Sequence, residues 1–281
     1  MNTEPVIHTA TRIDLDYMVK WAAAEGWNPG LDDAAAFHAA DPQGFLVAEI
    51  GGMPAACISV VRYDESFGFL GFYICHPKHR GKGIGWTIWQ AGMDYLGART
   101  VGLDGVVAQQ DNYRKSGFEY AHANMRYQGR VDAGGAARGI VAIGRDLLPA
   151  IAAYDRRHFP AEREAFLQSW LFGAASRQGL ALVDKGTVRG YGVIRDCIEG
   201  SKIGPLFADD EVGALTLFRA LAATRPGRQI ILDVPVPNEA AAALAESHGM
   251  QPVFETARMY KGEAPDLPLQ SIYGITTFEL G

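Results

Sequence analysis

The chain has few cysteines and no arrangement of them that forms a disulfide or metal framework. Cys57, Cys75 and Cys197 are odd in number and far apart, a usage that fits reduced thiols better than a disulfide scaffold. Cys75, His76 and His79 lie close together, but no second ligand pair stands at zinc spacing. The sequence therefore predicts no bound metal and implies no redox role.

Long apolar runs and an excess of positive charge are also missing. No run of about eighteen apolar residues occurs, and residues 1–10 lack the basic start and apolar segment of a secretory signal. Asp and Glu number 32 against 26 Lys and Arg, a net charge of −6, whereas nucleic-acid binding needs broad basic surfaces. We expect a cytoplasmic protein that binds neither membrane nor nucleic acid.

One stretch combines an apolar strand, a glycine-rich turn and an amphipathic helix. The run Phe67–Cys75 is apolar and uncharged, which is typical of a strand buried on both faces, and Pro77 ends it. Apolar residues recur at helical spacing from about Gly83 onward. Three glycines between the two can turn consecutive N–H groups toward one point at the positive end of the helix dipole. The pattern predicts an anion site, with phosphate as the expected ligand.

Other glycine motifs do not fit this turn. The residues Arg80-Gly-Lys-Gly-Ile-Gly85 match neither the P-loop spacing nor the dinucleotide pattern G-x-G-x-x-G. Without further information, a glycine turn with no ligand remains open.

The spacing Arg80-x-x-Gly83-x-Gly85, after the strand-ending Cys75-His76-Pro77, resembles the acetyl-CoA signature of the GCN5-related N-acetyltransferases (GNAT). In that family the loop amides hold the pyrophosphate of coenzyme A, and the preceding strand splays from its neighbour to admit the pantetheine arm. The resemblance implies acetyl-CoA as cosubstrate. The cofactor-binding residues that it implies in the strand and loop are Ile74, Cys75, His76, Arg80, Gly81, Lys82, Gly83, Ile84 and Gly85.

A second stretch, Tyr113-Arg-Lys-Ser-Gly-Phe118, resembles the family's Tyr-x-x-x-Gly-Phe signature. The resemblance makes Tyr113 the proton donor to the departing thiolate. Asn112 is a further candidate cofactor contact, although the family asparagine stands a turn or two upstream of the tyrosine. Cys75 has no His-Asp partner set and is expected to be a packing residue.

The region before the central strand is predicted to hold a strand, two helices and a hairpin. We expect two helices, one at residues 14–25 with Asp14 as its N-cap and one at residues 31–40. We expect strands at residues 5–9, 44–50 and 54–62, and Gly51-Gly52 forms the turn between the second and third of these strands. In the family, the loop between the first helices overhangs the acceptor. Glu25 and Trp27 are therefore candidate acceptor contacts, with packing of the loop as the alternative role for Trp27. Tyr73 and Asp104 are further candidate acceptor contacts.

The second half repeats the first. Gly179–Asp184 and Gly190–Arg195 echo Gly44–Glu49 and Ala55–Val60, so we infer a duplicated fold. The sequence predicts domains at 1–130 and 140–281 with a glycine-rich linker at 131–139, and the resemblance implies two tandem GNAT-type α/β sandwiches with mixed, mostly antiparallel sheets.

The second copy carries neither signature intact. Asp209-Asp-Glu211 replaces the glycine turn and would repel a diphosphate, and Ala245 takes the tyrosine position. We expect no catalysis there. The loops at 204–206 and 233–238 either wall the acceptor pocket of the first domain or serve as structural support.

The function implied is acetyl transfer from acetyl-CoA to a primary amine by direct attack in a ternary complex. The acceptor is a small molecule or a protein lysine, and a homodimer is left open. The alternative is a non-catalytic acyl-CoA sensor or regulatory protein. No motif marks the general base, and Glu25, Asp104 and Glu119 all qualify.

The tail offers another candidate base. Residues 271–281 read as an ordered strand. In two multi-domain relatives of the fold, the N-myristoyltransferases and the Eis-type acetyltransferases, a C-terminal carboxylate serves as base. By that resemblance Glu279 or the Gly281 carboxylate lies near Tyr113, and a plain closing strand of the second domain is the alternative.

Overall fold

A computed structural model describes residues 4–132, 134 and 138–281 of the chain. The predicted linker 131–139 includes residues 133 and 135–137, which lie outside the described ones. The division at that linker stays a prediction.

The first half alternates strands and helices. Its elements are β1 (Val6–Thr9), α1 (Arg12–Ala24), α2 (Asp33–Ala40), β2 (Phe45–Ile50), β3 (Met53–Arg62), β4 (Phe67–Cys75), α3 (Ile84–Leu96), β5 (Thr100–Val106), α4 (Gln110–Lys115) and β6 (Glu119–Arg130). Helix α1 begins one turn earlier than expected, because Thr11, not Asp14, is the N-cap and forms a capping box with Asp14.

The second half repeats this order and adds a short strand. Its elements are β7 (Ile140–Ala142), α5 (Leu148–Asp155), α6 (Glu164–Phe172), β8 (Arg177–Asp184), β9 (Thr187–Asp196), β10 (Ser201–Ala208), α7 (Glu211–Ala223), β11 (Gln229–Pro235), α8 (Glu239–Ser247), β12 (Gln251–Lys261) and β13 (Ile272–Gly274). The duplication read from the sequence is visible in both halves. Each has three antiparallel strands, β2–β4 or β8–β10, followed by one parallel neighbour, β5 or β11.

The two halves exchange strands within one mixed, mostly antiparallel sheet. The strand order is β1-β2-β3-β4-β5-β12-β6-β11-β10-β9-β8-β7, with β13 beside β10. Strand β12 of the second half lies between β5 and β6, and β6 of the first half lies between β12 and β11. The expected α/β architecture with a mixed, mostly antiparallel sheet is present, but the two halves share one continuous sheet.

Strand alternation divides the core between the two faces of the sheet. Along β3, Cys57 and Val61 face the cluster formed with α1, α2, α5 and α6, while Ile58 and Val60 face α3. The first cluster draws residues from both halves, including the tail residues Phe278 and Leu280. This shared core holds the tail against the central strands of the first half.

Candidate functional site

The two central strands of the first half separate where the site begins. Strands β4 and β5 pair in parallel from Phe67 and Thr100 to Leu70 and Leu103, and pairing stops there. Strand β4 then bulges against β3, with Phe72 at a φ of 45°. A cavity of about 490 Å³ opens along this wedge. The splay expected of an acetyltransferase strand is present.

The glycine turn forms an anion cradle at one end of the cavity. Gly81 and Gly83 have φ values of 74° and 82°, and a Cβ on either would project into open space. Gly83 is the N-cap of α3 and contributes no side-chain cap, so the first N–H groups of the helix are free for a ligand. Gly85 packs closely under the Tyr73 hydroxyl, 2.9 Å from where a Cβ would stand. These features fit a diphosphate.

Several predicted cofactor residues line the cavity and others do not. Ile74, Cys75, Arg80, Gly81, Gly83 and Gly85 line it. His76 lies outside it, with its ring packed on Trp21 at 5.6 Å. Asn112 is not among the lining residues; its side chain donates to Gln109, which does line the cavity, and its role as a cofactor contact stays a prediction.

Two more residues of the glycine turn have side chains directed elsewhere. Ile84 is buried in the core beneath α3, which makes it a packing residue. The Lys82 ammonium donates to the Lys78 carbonyl at 2.8 Å and does not line the cavity. Any contact with a ligand at these positions therefore falls to the backbone.

Tyr113 reaches the middle of the cavity. Its ring packs flat over Gly105 of β5, where a Cβ would come within 2.5 Å of it, and stacks on Trp89 at 5.6 Å. The residue is 8% exposed, and burial raises the pKa of its hydroxyl, with a smaller contribution from Tyr73. The hydroxyl is therefore protonated at neutral pH, as a proton donor must be.

Cys75 lines the cavity as a neutral thiol. Burial raises its pKa, which outweighs the lowering by the Arg80 guanidinium. Arg80 donates to the Cys75 carbonyl at 2.9 Å and thereby fixes the end of β4 to the glycine turn. The raised pKa makes Cys75 a poor nucleophile, and its role as a packing residue stays a prediction.

Two of the carboxylates that line the cavity have cationic partners. Glu25 is paired with Arg80. Asp104 accepts two hydrogen bonds from Arg258, both at 2.8 Å, and a third from Asn124 at 2.7 Å. Burial lowers the pKa of Arg258, but Asp104 and Tyr260 together raise it above its usual value, while burial raises the pKa of Asp104 in spite of Arg258. Both carboxylates are thus engaged by a guanidinium group.

Glu119, the third candidate base in the first half, does not reach the site. It is exposed at the start of β6 and does not line the cavity.

Glu279 comes into the cavity from the tail. Only residues 272–274 form the predicted strand, and the residues after them turn back across β4, where the Glu279 carbonyl packs on Gly71. The side chain is 3% exposed, and its Oε1 has no hydrogen-bond partner among the described residues. Burial raises the pKa of its carboxyl group. Glu279 is thus a buried carboxylate with an uncommitted oxygen.

Gly281 lies elsewhere. It packs between Phe69 and Phe159 and borders a separate small cavity. Its carboxylate is therefore not placed beside Tyr113, which corrects the alternative assignment of the base.

The second half lines the cavity through residues that the sequence analysis did not identify. Phe254 and Thr256 come from β12, and Phe278 precedes Glu279 in the tail. The loops at 204–206 and 233–238, proposed from the sequence as the wall, do not line it. Phe254 and Thr256 are two apart in a strand, but nothing local indicates that this strand enters the other half of the sheet.

The position in the second half that corresponds to this cavity is filled. Strands β10 and β11 pair only from Ser201 to Ile203, and β13 then lies beside Leu206 and Phe207 of β10. Asp210 caps α7 by accepting from the Gly213 N–H at 2.7 Å. The protein's own tail thus occupies the wedge, and a carboxylate takes the place of the anion cradle.

No helix in the described parts of the chain is both long and apolar enough to cross a membrane.

Comparison with known proteins agrees with this geometry. The model of the acetyltransferase (GNAT) family matches residues 11–118, and that of an acetyltransferase (GNAT) domain matches residues 151–274. The holothin acyltransferase of Pseudoalteromonas sp. (strain SANK 73390) is 32% identical over 267 residues, which cover 93% of this chain and 90% of that protein.

Solved structures share the two-domain fold. A protein from Pyrococcus horikoshii described as a candidate acetyltransferase superposes with a TM-score of 0.86 at 19% identity, covering 100% of this chain and 97% of its own. A tandem GNAT protein from the clavulanic acid biosynthesis pathway gives a TM-score of 0.64 at 12% identity, covering 93% and 100%. The chain belongs to the GNAT acyltransferase family, as a tandem of two such domains with a degenerate second copy.

Proposed function

We propose that the protein transfers an acetyl group from acetyl-CoA to a primary amine in a ternary complex. The observation that carries this proposal is the single cavity that runs from the glycine turn past Tyr113 to Glu279. Its two ends provide an anion cradle and an uncommitted carboxylate, which are what a diphosphate-bearing thioester and an ammonium group require.

Different residues along the cavity bind the phosphates and orient the thioester in this scheme. The backbone from Arg80 to Gly85 holds the phosphates, and the bulged end of β4 orients the thioester with N–H groups near Cys75. Acetyl-CoA supplies an activated acyl group, so the protein mainly aligns the two substrates.

Three proton transfers balance this scheme. Glu279 accepts one proton from the acceptor ammonium, which frees the nitrogen lone pair to form the new C–N bond as the C–S bond breaks. Tyr113 donates one to the departing sulfur, whose pKa is close to that of a phenol, and the new amide nitrogen gives up its extra proton to the Tyr113 phenolate, which restores the hydroxyl. The raised pKa of the Glu279 carboxyl group makes it a stronger base than an exposed glutamate.

Release of free CoA thiol in the presence of amines tests the reaction, with acetyl-CoA compared against longer acyl-CoA thioesters. Gly83→Glu is expected to abolish acetyl-CoA binding in calorimetry, because it places a carboxylate in the phosphate cradle at a residue with positive φ. Gly134→Ala, at a glycine where a Cβ meets nothing within 4 Å, is the control. Unchanged affinity in Gly83→Glu would remove the turn from the site.

A sensor that binds acyl-CoA without turnover is the alternative function. Tyr113 and Glu279 favour an enzyme, because binding alone needs neither a proton donor nor a buried uncommitted carboxylate. Binding of acetyl-CoA without thiol release across a broad set of amines would support the sensor. We also place the protein in the cytoplasm, which fractionation of producing cells would test.

A further inference from the structure

The acceptor end of the cavity is walled by aromatic rings from both halves of the chain. Trp27 comes from the loop after α1, Phe254 from β12 and Phe278 from the tail. The two phenylalanine rings are 6.1 Å apart between centroids and inclined at 53°. The Arg126 guanidinium lies over both rings, 4.8 Å from Phe278 and 5.6 Å from Phe254. These walls suit a flat apolar group.

The loop that carries Trp27 is held in place by residues of the second half and by Arg126 of β6. Asn28 exchanges two hydrogen bonds with the backbone of Glu199, at 2.8 and 3.0 Å. The Trp27 carbonyl accepts from Arg126 at 2.9 Å, and the buried Lys202 ammonium donates to the Asn28 carbonyl at 3.2 Å. Because both sides of this loop are tethered, the aromatic wall is preorganised.

One carboxylate of the cavity lining is available to pair with a positively charged group on the acceptor. Glu25 and Asp104 are neutralised by Arg80 and Arg258, so of the acids that line the cavity only Glu279 is uncommitted. Thr256 Oγ1 at the cavity wall and Asn124 Oδ1 beside it on β6 are also unpartnered, and both are neutral. The other charges that act on Glu279 include the cations Lys202, Arg195 and Arg126, which do not line the cavity. A second ammonium group would be buried without a counter-charge, which is costly.

We propose that the acceptor is a compact monoamine with a flat, uncharged body, bound between Trp27, Phe254 and Phe278 with its nitrogen at Glu279. This inference rests on the proposed function and narrows its acceptor. Polyamines and peptides with a charged flank are poor acceptors, because each brings charge that this end of the cavity does not neutralise.

Bisubstrate probes test the acceptor class separately from turnover. Each probe joins the sulfur of CoA through a CH₂–CO linker to an amine, either 2-phenylethylamine or 1,4-diaminobutane, and calorimetry on the intact chain compares both probes with CoA. We expect the phenylethyl probe to bind at least about ten-fold more tightly than the aminobutyl probe. Equal binding of the two, tighter binding of the aminobutyl probe, or affinities for both no better than CoA would overturn the inference.

The same titration separates this inference from the proposed function. Failure of CoA itself to bind would overturn the proposed cofactor site. Binding of CoA together with a preference for the aminobutyl probe would leave acyl transfer standing and exclude only the flat monoamine.

Matched variants locate the preference in the aromatic wall. Phe254→Leu and Phe278→Leu are each expected to lower the phenylethyl preference about five-fold or more while CoA affinity stays constant, because an aliphatic side chain gives up the ring contacts. Retained CoA affinity also shows that the variants fold. Val253→Ala, at an exposed residue beside Phe254, is the control and should bind both probes as the unmodified chain does. A preference unchanged in both leucine variants would contradict the assignment.

Discussion

The Tyr113 ring can occupy its position because Gly105, on which it packs, has no side chain. The ring lies on Gly105 and against Trp89, and the residue lines the cavity. The packing fixes the ring and leaves the hydroxyl to the cavity, so the role of the ring and the role of the hydroxyl can be separated by mutation.

Tyr113→Phe is expected to lower turnover by about 10²-fold, the scale of a lost general acid, while acetyl-CoA affinity stays nearly unchanged. The phenylalanine keeps the stacking on Trp89, so stability should change little. Steady-state kinetics and calorimetry on the same preparation check both. Turnover equal to that of the unmodified chain would show that Tyr113 is only a packing residue.

Glu279 links stability to pH. Its carboxyl group has a raised pKa in the folded protein because burial disfavours the charged form. Between the ordinary glutamate pKa and this raised value the folded state binds more protons than the unfolded state, so the residue's contribution to stability falls as pH rises. Above the raised pKa the cost of the buried charge is fully present and constant.

Glu279→Gln should therefore stabilise the protein by about 1–3 kcal/mol at pH 8, the usual cost of a buried unsatisfied group, and by less at pH 4. The same variant should lose most of its turnover at pH 7, because glutamine cannot accept the proton. Thermal unfolding at both pH values and rates across pH 6–9 measure the two effects. A stability gain that does not depend on pH, together with full turnover, would exclude an ionised Glu279.

Strand β4 joins the cofactor end to the acceptor end. The bulge of β4 lies between the tail and the point where β4 separates from β5. Gly71 contacts the tail directly, since a Cβ there would stand 2.1 Å from the Glu279 carbonyl oxygen. The element therefore needs a glycine at this point even though its φ is ordinary.

Gly71→Ala is expected to destabilise the protein by about 1–3 kcal/mol, the range for overpacking a core, and to reduce turnover by moving Glu279. Gly134→Ala is the control, because its Cβ would meet nothing within 4 Å. Chemical denaturation and steady-state rates check the effect. If Gly71→Ala keeps both stability and turnover, the tail adjusts freely and does not position the carboxylate.

Strand β4 and the residues that follow it show which part of the site could be predicted from the sequence. Strand β4, the glycine turn and helix α3 follow one another within Phe67–Leu96, so their order and spacing alone indicate the anion cradle, and the bounds of β4 match the expected ones. The acceptor wall is different. Phe254, Phe278 and Glu279 are far from Trp27 along the chain and meet it only through tertiary packing. Local patterns carry no information about such a meeting.

The exchanged strands make each half of the protein depend on the other. Strand β12 of the second half lies between β5 and β6, so β5 and β6 do not pair with each other. Strand β11 of the second half in turn pairs with β6 of the first half. A first half without β12 would expose the unpaired edges of two strands in the centre of its sheet. The sequence repeats predict two copies but not this exchange, since a strand that leaves its own half has the same local pattern as one that stays.

Residues 1–132 expressed alone are therefore expected to aggregate or remain unfolded, and co-expression with residues 138–281 should restore a 1:1 complex that binds one acetyl-CoA.

The intact chain should unfold in a single cooperative calorimetric transition, because the sheet and the core beneath α1, α2, α5 and α6 are shared by both halves. Cleavage of the intact chain between residues 132 and 138 is the control, since it breaks the backbone without removing any strand. A folded first half that binds acetyl-CoA as a monomer would show that β12 is dispensable.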